Sequence, residues 1–382
     1  MDFDLTEEQR LLKDSVDRLL ADAYGFDARK RIVASEGGVS PAVWAQFAEL
    51  GLLGLPFSEE QGGFGGGPVE TMLVMEAFGR ALVVEPYLAT VILGGGLIRH
   101  AGSAAQQAAI LPAVAAGERR LAFAHAERQA RYDLFDVATT ARPDGEGWVL
   151  DGQKGLVLHG DGADTLIVSA RTAGATRDLT GLGLFLVDAS APGVSRRGYP
   201  TQDGQRAAEV TLTGVRVGPD AVLGDPKGAL PAIERVVDEA IAALCAEAVG
   251  AMEASLQSTV EYLKTRQQFG TPIGAFQVLQ HRSAEMVVAL EQARSMAMLA
   301  AMMATAPDAR ERRAAVSGAK AQIGRSARFI GQQSVQLHGG VGVTMEYQIG
   351  HYFKRLTMID TLFGDADHHL GLTADAGGLI NS

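Results

Sequence analysis

The sequence predicts an α+β multidomain chain: an N-terminal α-helical domain, a middle antiparallel β domain and a C-terminal four-helix bundle. Three observations carry this. Apolar residues recur at helical spacing through the first part. Short β-rich runs split by Gly and Asp follow. Long helical patterns with short connections then run to the C-terminus. The expected boundaries are 1–120, 121–228 and 229–382, and 382 residues suit two or three domains.

In the first part, Thr6 and Gln9 make a capping box before "LLKDSVDRLL", where Leu11, Leu12, Val16 and Leu19 share a face. A helix is expected from Pro41 to about Leu50, then a Gly-punctuated loop. "VETMLVMEAFGRAL" and "AQQAAILPAVAAGERR" continue the pattern. In the second part, "GWVLDG", "DTLIVSAR", "LGLFLVDAS" and "EVTLTGVRV" read as strands, with Asp151-Gly152 as a hairpin-type turn signal. In the third, Ile233, Val237, Ile241, Leu244, Ala248, Met252, Leu256, Val260 and Leu263 trace one helical face over about eight turns. Two further long helical stretches follow, the last ending in "QLHGG".

Composition narrows the function classes. Hydrophobic residues make up 47% and aromatics 6%, so Ala, Leu, Val and Ile build the core. A net charge of −11 argues against sequence-independent nucleic-acid binding. Cys245 is the single cysteine, which excludes an intrachain disulfide and a zinc cage. The start, "MDFDLTEEQR", has no basic or apolar leader pattern, and no apolar run approaches the roughly 20 residues of a membrane span. A cytoplasmic protein is expected.

Four stretches offer chemistry. In "AIAALCAEAVGAM", Glu247 is the only charged residue in a helix that is small and apolar all round. Such a helix is buried, and burial opposes the charged form of a carboxylate. Either Glu247 is functional, or it pairs with an Arg of a neighbouring helix. In "KTRQQFGTPIGAFQ", Phe269-Gly270 reads as a helix stop with Lys264 and Arg266 in the last turn. In "QLHGGVG", Gly339-Gly340 permits close backbone approach or simply stops a helix, and no strand precedes it as a Rossmann site would require. "FGDADHHL" clusters Asp365, Asp367, His368 and His369, too close in sequence to ligate one ion together; Asp365 can cap a last helix.

"AELGLLGLPFSEEQGG", "LDGQKGLVLHG", "YLKTRQQFGTPIGAFQ", "QLHGGVGVTMEY" and "YFKRLTMIDTLFGDADHHL", in this order, resemble the acyl-CoA dehydrogenase family over essentially the whole chain. "FAHAERQARYDLFDVATTAR" and "FGDADHHL" resemble its pimeloyl-CoA dehydrogenase small-subunit and steroid side-chain branch. The resemblance implies a three-domain subunit in a homodimer, homotetramer or α2β2 heterotetramer. It implies bound FAD, an acyl-CoA substrate oxidised to a 2-enoyl-CoA, and electron-transfer flavoprotein as acceptor. By position, Arg266 and Phe269 match residues that meet the FAD pyrophosphate of a neighbouring subunit, and Gln277 matches a residue near it. Gln336, Gly339 and Gly340 match those that hold the adenosine end from across the dimer. An Arg fork suits pyrophosphate oxygens.

The sequence departs from the family pattern in three places. The flavin-contact strand reads Leu156-Val157-Leu158-His159, with Leu158 at the cofactor-contact threonine. The upstream loop reads "AERQARYD", keeping Glu127 and Asp133 without the usual threonine. The catalytic loop reads Phe363-Gly364-Asp365, with Gly364 at the usual base position, where its backbone can still meet substrate. The family's second base position falls on Ala240. Glu247 lies two turns along that helix, beside the substrate-side Ala243, and is the expected base; Asp365 is second and Glu239 third. Ala240, Ala243 and Gly250 are read as leaving room for a bulky or branched acyl group. Two other readings are a non-catalytic subunit completing a partner's FAD site and a flavin oxidase.

Overall fold

A computed structural model describes residues 5–377. The chain divides into two compact units, the first comprising residues up to 31, 68–83 and 241 onward, the second 32–67 and 84–240.

The first unit is helical. Its elements are α1 (Glu7–Ala23), the start of α2 (Phe26–Ala34), α4 (Pro68–Ala81), most of α7 (Leu230–Thr265), α8 (Gln277–Met303), α9 (Ala309–His338), α10 (Gln348–Thr361) and α11 (Ala366–Asp375). The Thr6–Gln9 capping box opens α1 as the sequence predicts. Helix α9 is central, touching α8, α10 and α11 through Val316, Ala319, Ile323, Ala327 and Ile330. Small residues let helices approach closely. Gly79 of α4 faces the Glu247 carbonyl of α7, and Gly250 of α7 faces the Glu76 carbonyl of α4, so neither position has room for a Cβ. Gly250 is therefore a packing glycine and leaves no space for substrate. Arg80 and Arg294 add an ion-pair network with Glu76 and Glu253 at 2.8–3.1 Å.

By length and composition α8 is apolar enough to cross a membrane. Here one face packs in the bundle through Met286, Leu290, Ala293, Ala297 and Ala300, while Val278, Val287 and Val288 are exposed. Its apolarity escapes a strict run-length count because Arg282, Glu285, Glu291 and Arg294 interrupt it.

The second unit holds α3 (Pro41–Glu49), α5 (Gly96–Ala101), α6 (Ala104–Ala115), a π-helical stretch at Leu88–Gly95 and an eight-stranded sheet. The strands are β1 (Leu121–Ala124), β2 (Thr140–Asp144), β3 (Gly147–Leu158), β4 (Thr165–Arg171), β5 (Leu182–Asp188), β6 (Val194–Pro200), β7 (Arg206–Val217) and β8 (Val222–Leu223). The order is β6-β7-β3-β2-β4-β5-β8, with β1 on β4. Most pairs are antiparallel as expected, but β1 and β2 both meet β4 in parallel. Asp151-Gly152 is not a turn. It sits inside β3 at a register shift, where a Cβ on Gly152 would strike Thr139; the hairpin tip is Gly145-Glu146. The alternating apolar residues Leu150, Leu166, Val168, Phe185, Val187, Val210 and Leu212 build the core.

Candidate functional site

Helix α7 ends at Thr265, and Gln267–Gln268 (β9) pairs with Thr271–Pro272 (β10). Phe269 and Gly270 are the two-residue turn, at φ +55 and +78, the left-handed pair that a tight hairpin demands. The expected helix stop is thus a hairpin tip. It throws Phe269 outward at 91% exposure, with Phe276 against its edge. Phe269 and Phe276 together form a small exposed aromatic pair.

Helix α9 ends at His338, whose ring stacks on Tyr262 of α7 at 4.4 Å. The stack sets the ends of α7 and α9 side by side, so Arg266 and Gly339-Gly340 emerge at one end of the bundle. Gly339 takes φ +61 as the residue after the helix. Gly340 has an ordinary φ, and a Cβ at either glycine meets nothing within 4 Å. The helix cap accounts for Gly339, while no packing contact accounts for Gly340, and both leave open backbone that a ligand could approach. Arg266, Gln277, Gln336, Gly339 and Gly340 are all exposed. Among the described residues the Arg266 and Gln336 side chains have no protein partner. An unpaired guanidinium, an amide, two open glycines and an exposed aromatic fit the diphosphate and adenosine of FAD.

The expected base looks different in the structure. Both oxygens of Glu247 accept from Arg355 of α10, from Nε at 2.6 Å and Nη2 at 2.7 Å. Each side chain is under 10% exposed. This is the ion-pair alternative, and it leaves no carboxylate oxygen free for an α-proton. Ala240 and Ala243 are closed into the same helix's buried face. Glu239, at the second-unit end of α7, is bonded by Arg99, His100 and Arg235. Burial works against its charge, yet the His100 hydrogen bond and the Arg99 and Arg235 guanidinium groups hold it down to about 2, which makes it a poor base.

The Phe363–Asp365 turn joins α10 to α11. Phe363 and Gly364 both have positive φ, +58 and +116. A Cβ at Gly364 would lie 2.5 Å from the His368 ring and 2.7 Å from His369 Nε2, so the two histidines fill the space a side chain would need. Asp365 caps α11 as the sequence predicts, with Oδ1 accepting from the His368 N–H at 2.9 Å. Its other oxygen has no partner among the described residues.

In the second unit, β3 bulges between Lys154 and Val157. Leu156 adopts φ +48 and is exposed, and His159 adopts φ +51. Non-glycine residues in this region carry strain that clusters at functional sites. The Gly155 N–H donates to the Ala126 carbonyl, so the two altered flavin-contact segments are bonded to each other. Leu158 pairs with Ala207 at the end of β3 and is half-buried. Beneath them Glu127 accepts from Lys154 Nζ at 2.6 Å and from the Ala138 and Thr139 N–H groups at 2.7 and 3.0 Å.

Three supports escape the sequence reading: Arg355, Lys154 and Lys320. Lys320 had a usable signal, as the lone charge in "AAVSGAKAQIG". Arg355 and Lys154 sit in mixed polar stretches that look like surface.

Comparison with known families covers most of the chain. The acyl-CoA dehydrogenase N-terminal, middle and C-terminal domain models match residues 6–118, 122–215 and 228–377. Acyl-CoA dehydrogenase FadE12 of Mycobacterium tuberculosis is 33% identical over 357 residues, covering 90% of this chain and 89% of its own. The solved structure of a variant of the steroid ACAD Tcur3481-Tcur3483 is 32% identical with a TM-score of 0.87, covering 97% and 98%. A glutaryl-CoA dehydrogenase from Mycobacterium smegmatis in complex with FADH2 is 25% identical with a TM-score of 0.88, covering 99% and 96%.

Proposed function

We propose that this chain, which belongs to the acyl-CoA dehydrogenase family and is an FAD-dependent oxidoreductase, converts an acyl-CoA to its 2-enoyl-CoA with Asp365 as the base. The observation that carries the assignment is the Asp365 oxygen without a partner among the described residues, while both Glu247 oxygens are taken by Arg355. When bound, FAD supplies the acceptor for the β-hydride. Arg266 and Gln336 would hold the diphosphate and adenosine end of a neighbouring subunit's FAD, Gly339 and Gly340 would let backbone approach, and Phe269 and Gln277 would cover it. Leu158 gives an apolar contact in place of a hydroxyl. The Gly364 backbone N–H holds the thioester carbonyl, which acidifies the α-carbon, and Asp365 takes the α-proton. Asp365→Asn, an isosteric change, should abolish flavin reduction by an acyl-CoA panel while FAD content stays intact. Loss of reduction in Glu247→Gln, with full stability and an active Asp365→Asn, would return the role to Glu247.

A second reading is favoured by Gly364 at the base position and Leu158 at the cofactor-contact position. Here the chain serves in an α2β2 heterotetramer beside a second acyl-CoA dehydrogenase-like chain and completes that chain's site. The exposed Phe269, Phe276, Val287, Val288, Val341 and Met345 are apolar positions that an oligomer would cover in either case. Electron-transfer flavoprotein is the proposed acceptor, and the steroid-acting relative supports a bulky acyl group. Size and flavin stoichiometry, for the chain alone and co-expressed with its partner, separate the two. One FAD per subunit with full activity from this chain alone defeats the heteromeric reading.

A further inference from the structure

Lys320 is a cation with 0% exposure inside the bundle. Its Nζ donates to two main-chain carbonyls, Asp360 at 2.7 Å and Gly364 at 2.6 Å. His369 works beside it. Its Nδ1 lies 3.1 Å from the Ser317 hydroxyl and its Nε2 lies 3.1 Å from the Phe363 carbonyl. A carbonyl can only accept, so Nε2 carries the proton and Nδ1 accepts from Ser317. Burial keeps the ring neutral, pulling it down to about 3. Asp360 completes the brace, accepting from the Ala366 N–H at 3.3 Å and from Arg328 at 2.7 Å.

The consequence is directional. In a trans peptide the C=O and N–H point opposite ways. His369 pins the Phe363 carbonyl inward, so the Gly364 N–H points the other way. Lys320 pins the Gly364 carbonyl inward, so the Asp365 N–H does likewise. Neither N–H has a protein acceptor among the described residues, although Gly364 is buried. Buried N–H groups are rarely left without an acceptor. Two successive N–H groups pointing the same way in a turn form a concave donor pair for an oxyanion.

We propose that Lys320 and His369 are positioning residues that orient the Phe363–Gly364 and Gly364–Asp365 peptides so that both N–H groups grip the thioester oxygen. The inference rests on the reading that this turn meets the thioester, and adds which side chains aim it and that two donors are used. It also accounts for a buried cation whose direct partners among the described residues are two main-chain carbonyls rather than a carboxylate. Removing one aligned oxyanion donor typically costs about a hundredfold or more in rate.

The test uses the FAD-loaded protein and [1-13C]acetyl-CoA, which has no β-carbon and cannot be dehydrogenated. Isotope-edited infrared difference spectra report the thioester carbonyl. The wild type should lower the carbonyl frequency on binding. Lys320→Met should lose most of that shift and bind acetyl-CoA about tenfold more weakly, with FAD content and affinity for CoA itself unchanged. His369→Phe should lose part of the shift, and His369→Gln, which keeps an N–H donor, should restore it. A wild-type shift that survives in folded Lys320→Met overturns the proposal. Should Lys320→Met fail to fold, equal shifts in His369→Phe and His369→Gln overturn it instead. No shift in the wild type removes the thioester from this turn, and with it the role given above to Gly364.

Discussion

Replacing Arg355 by Met tests what Glu247 does. The pair is bidentate and nearly dry: bonds of 2.6 and 2.7 Å, with side-chain exposures of 7% and 4%. Removing the guanidinium leaves a carboxylate with two unpaired oxygens in the bundle interior. Breaking one partner of such a pair costs about 3–5 kcal/mol, whereas replacing both by apolar residues of similar volume is often neutral. Arg355→Met and Glu247→Leu should therefore each destabilise by about that amount, and the double variant should recover most of it. The assay is denaturant unfolding at fixed protein concentration, because oligomer stability depends on concentration. FAD content and flavin reduction by acyl-CoA are followed in parallel. If the pair is structural, the double variant regains both stability and flavin reduction. A stable, flavin-loaded double variant that cannot be reduced, beside an active Asp365→Asn, would refute the argument and make Glu247 the base after all.

Other outcomes follow from the same geometry. Arg266→Ala should weaken FAD retention at least tenfold, because it removes a charge-assisted fork to the diphosphate; equilibrium dialysis of the flavin checks this, and full occupancy would exclude Arg266 from the cofactor site. Phe269→Ser should leave the stability of the unit unchanged, since the ring is 91% exposed, and yet shift the protein toward smaller species in light scattering. Glu127 gives a pH dependence. Burial works against its carboxylate, but Lys154 and the Thr139 N–H hold it down to about 2, below the ordinary 4.5. The stabilisation it lends is complete above that ordinary value and is lost as pH falls from about 4.5 through 2. Glu127→Gln should flatten that limb of an acid titration followed by circular dichroism.

The layout was legible because it rests on period. Helical spacing, a break into alternating strands and the return of long helices each leave a pattern in one dimension. Cap chemistry was equally readable, since Thr6–Gln9 and Asp365 act within four residues of themselves. What the sequence hid was pairing across distance. Glu247 was visible as a buried charge, but its partner lies 108 positions away in a helix that reads as surface. The turn residues misled for a related reason. Asp151-Gly152 and Phe269-Gly270 carry the signals of a hairpin and a helix stop, and each left-handed glycine is real. Whether that glycine makes a bulge, a turn or a cap is decided by the strand or helix it meets, which local sequence does not contain.

The glycine at the usual base position brings these levels together. Gly364 lacks a carboxylate because the turn cannot hold one in this chain. Its φ of +116 lies outside what a side chain tolerates, and a Cβ would press on His369 Nε2 and the His368 ring. Those are two separate penalties, one of backbone and one of packing. Gly364→Ala should therefore destabilise by about 2–4 kcal/mol, from roughly 1–2 kcal/mol of backbone strain and a comparable overpacking cost. Trimming the neighbours should relieve only the second. Gly364→Ala combined with His368→Ala should recover part of the loss, whereas the backbone share persists whatever replaces the histidine. Calorimetry on the FAD-loaded single and double variants separates the two shares. Complete recovery in the double variant would mean that packing alone excludes a side chain at this position. A carboxylate could then be grafted back at 364 by changing the histidines, and the present reading of the turn as a backbone device would fail.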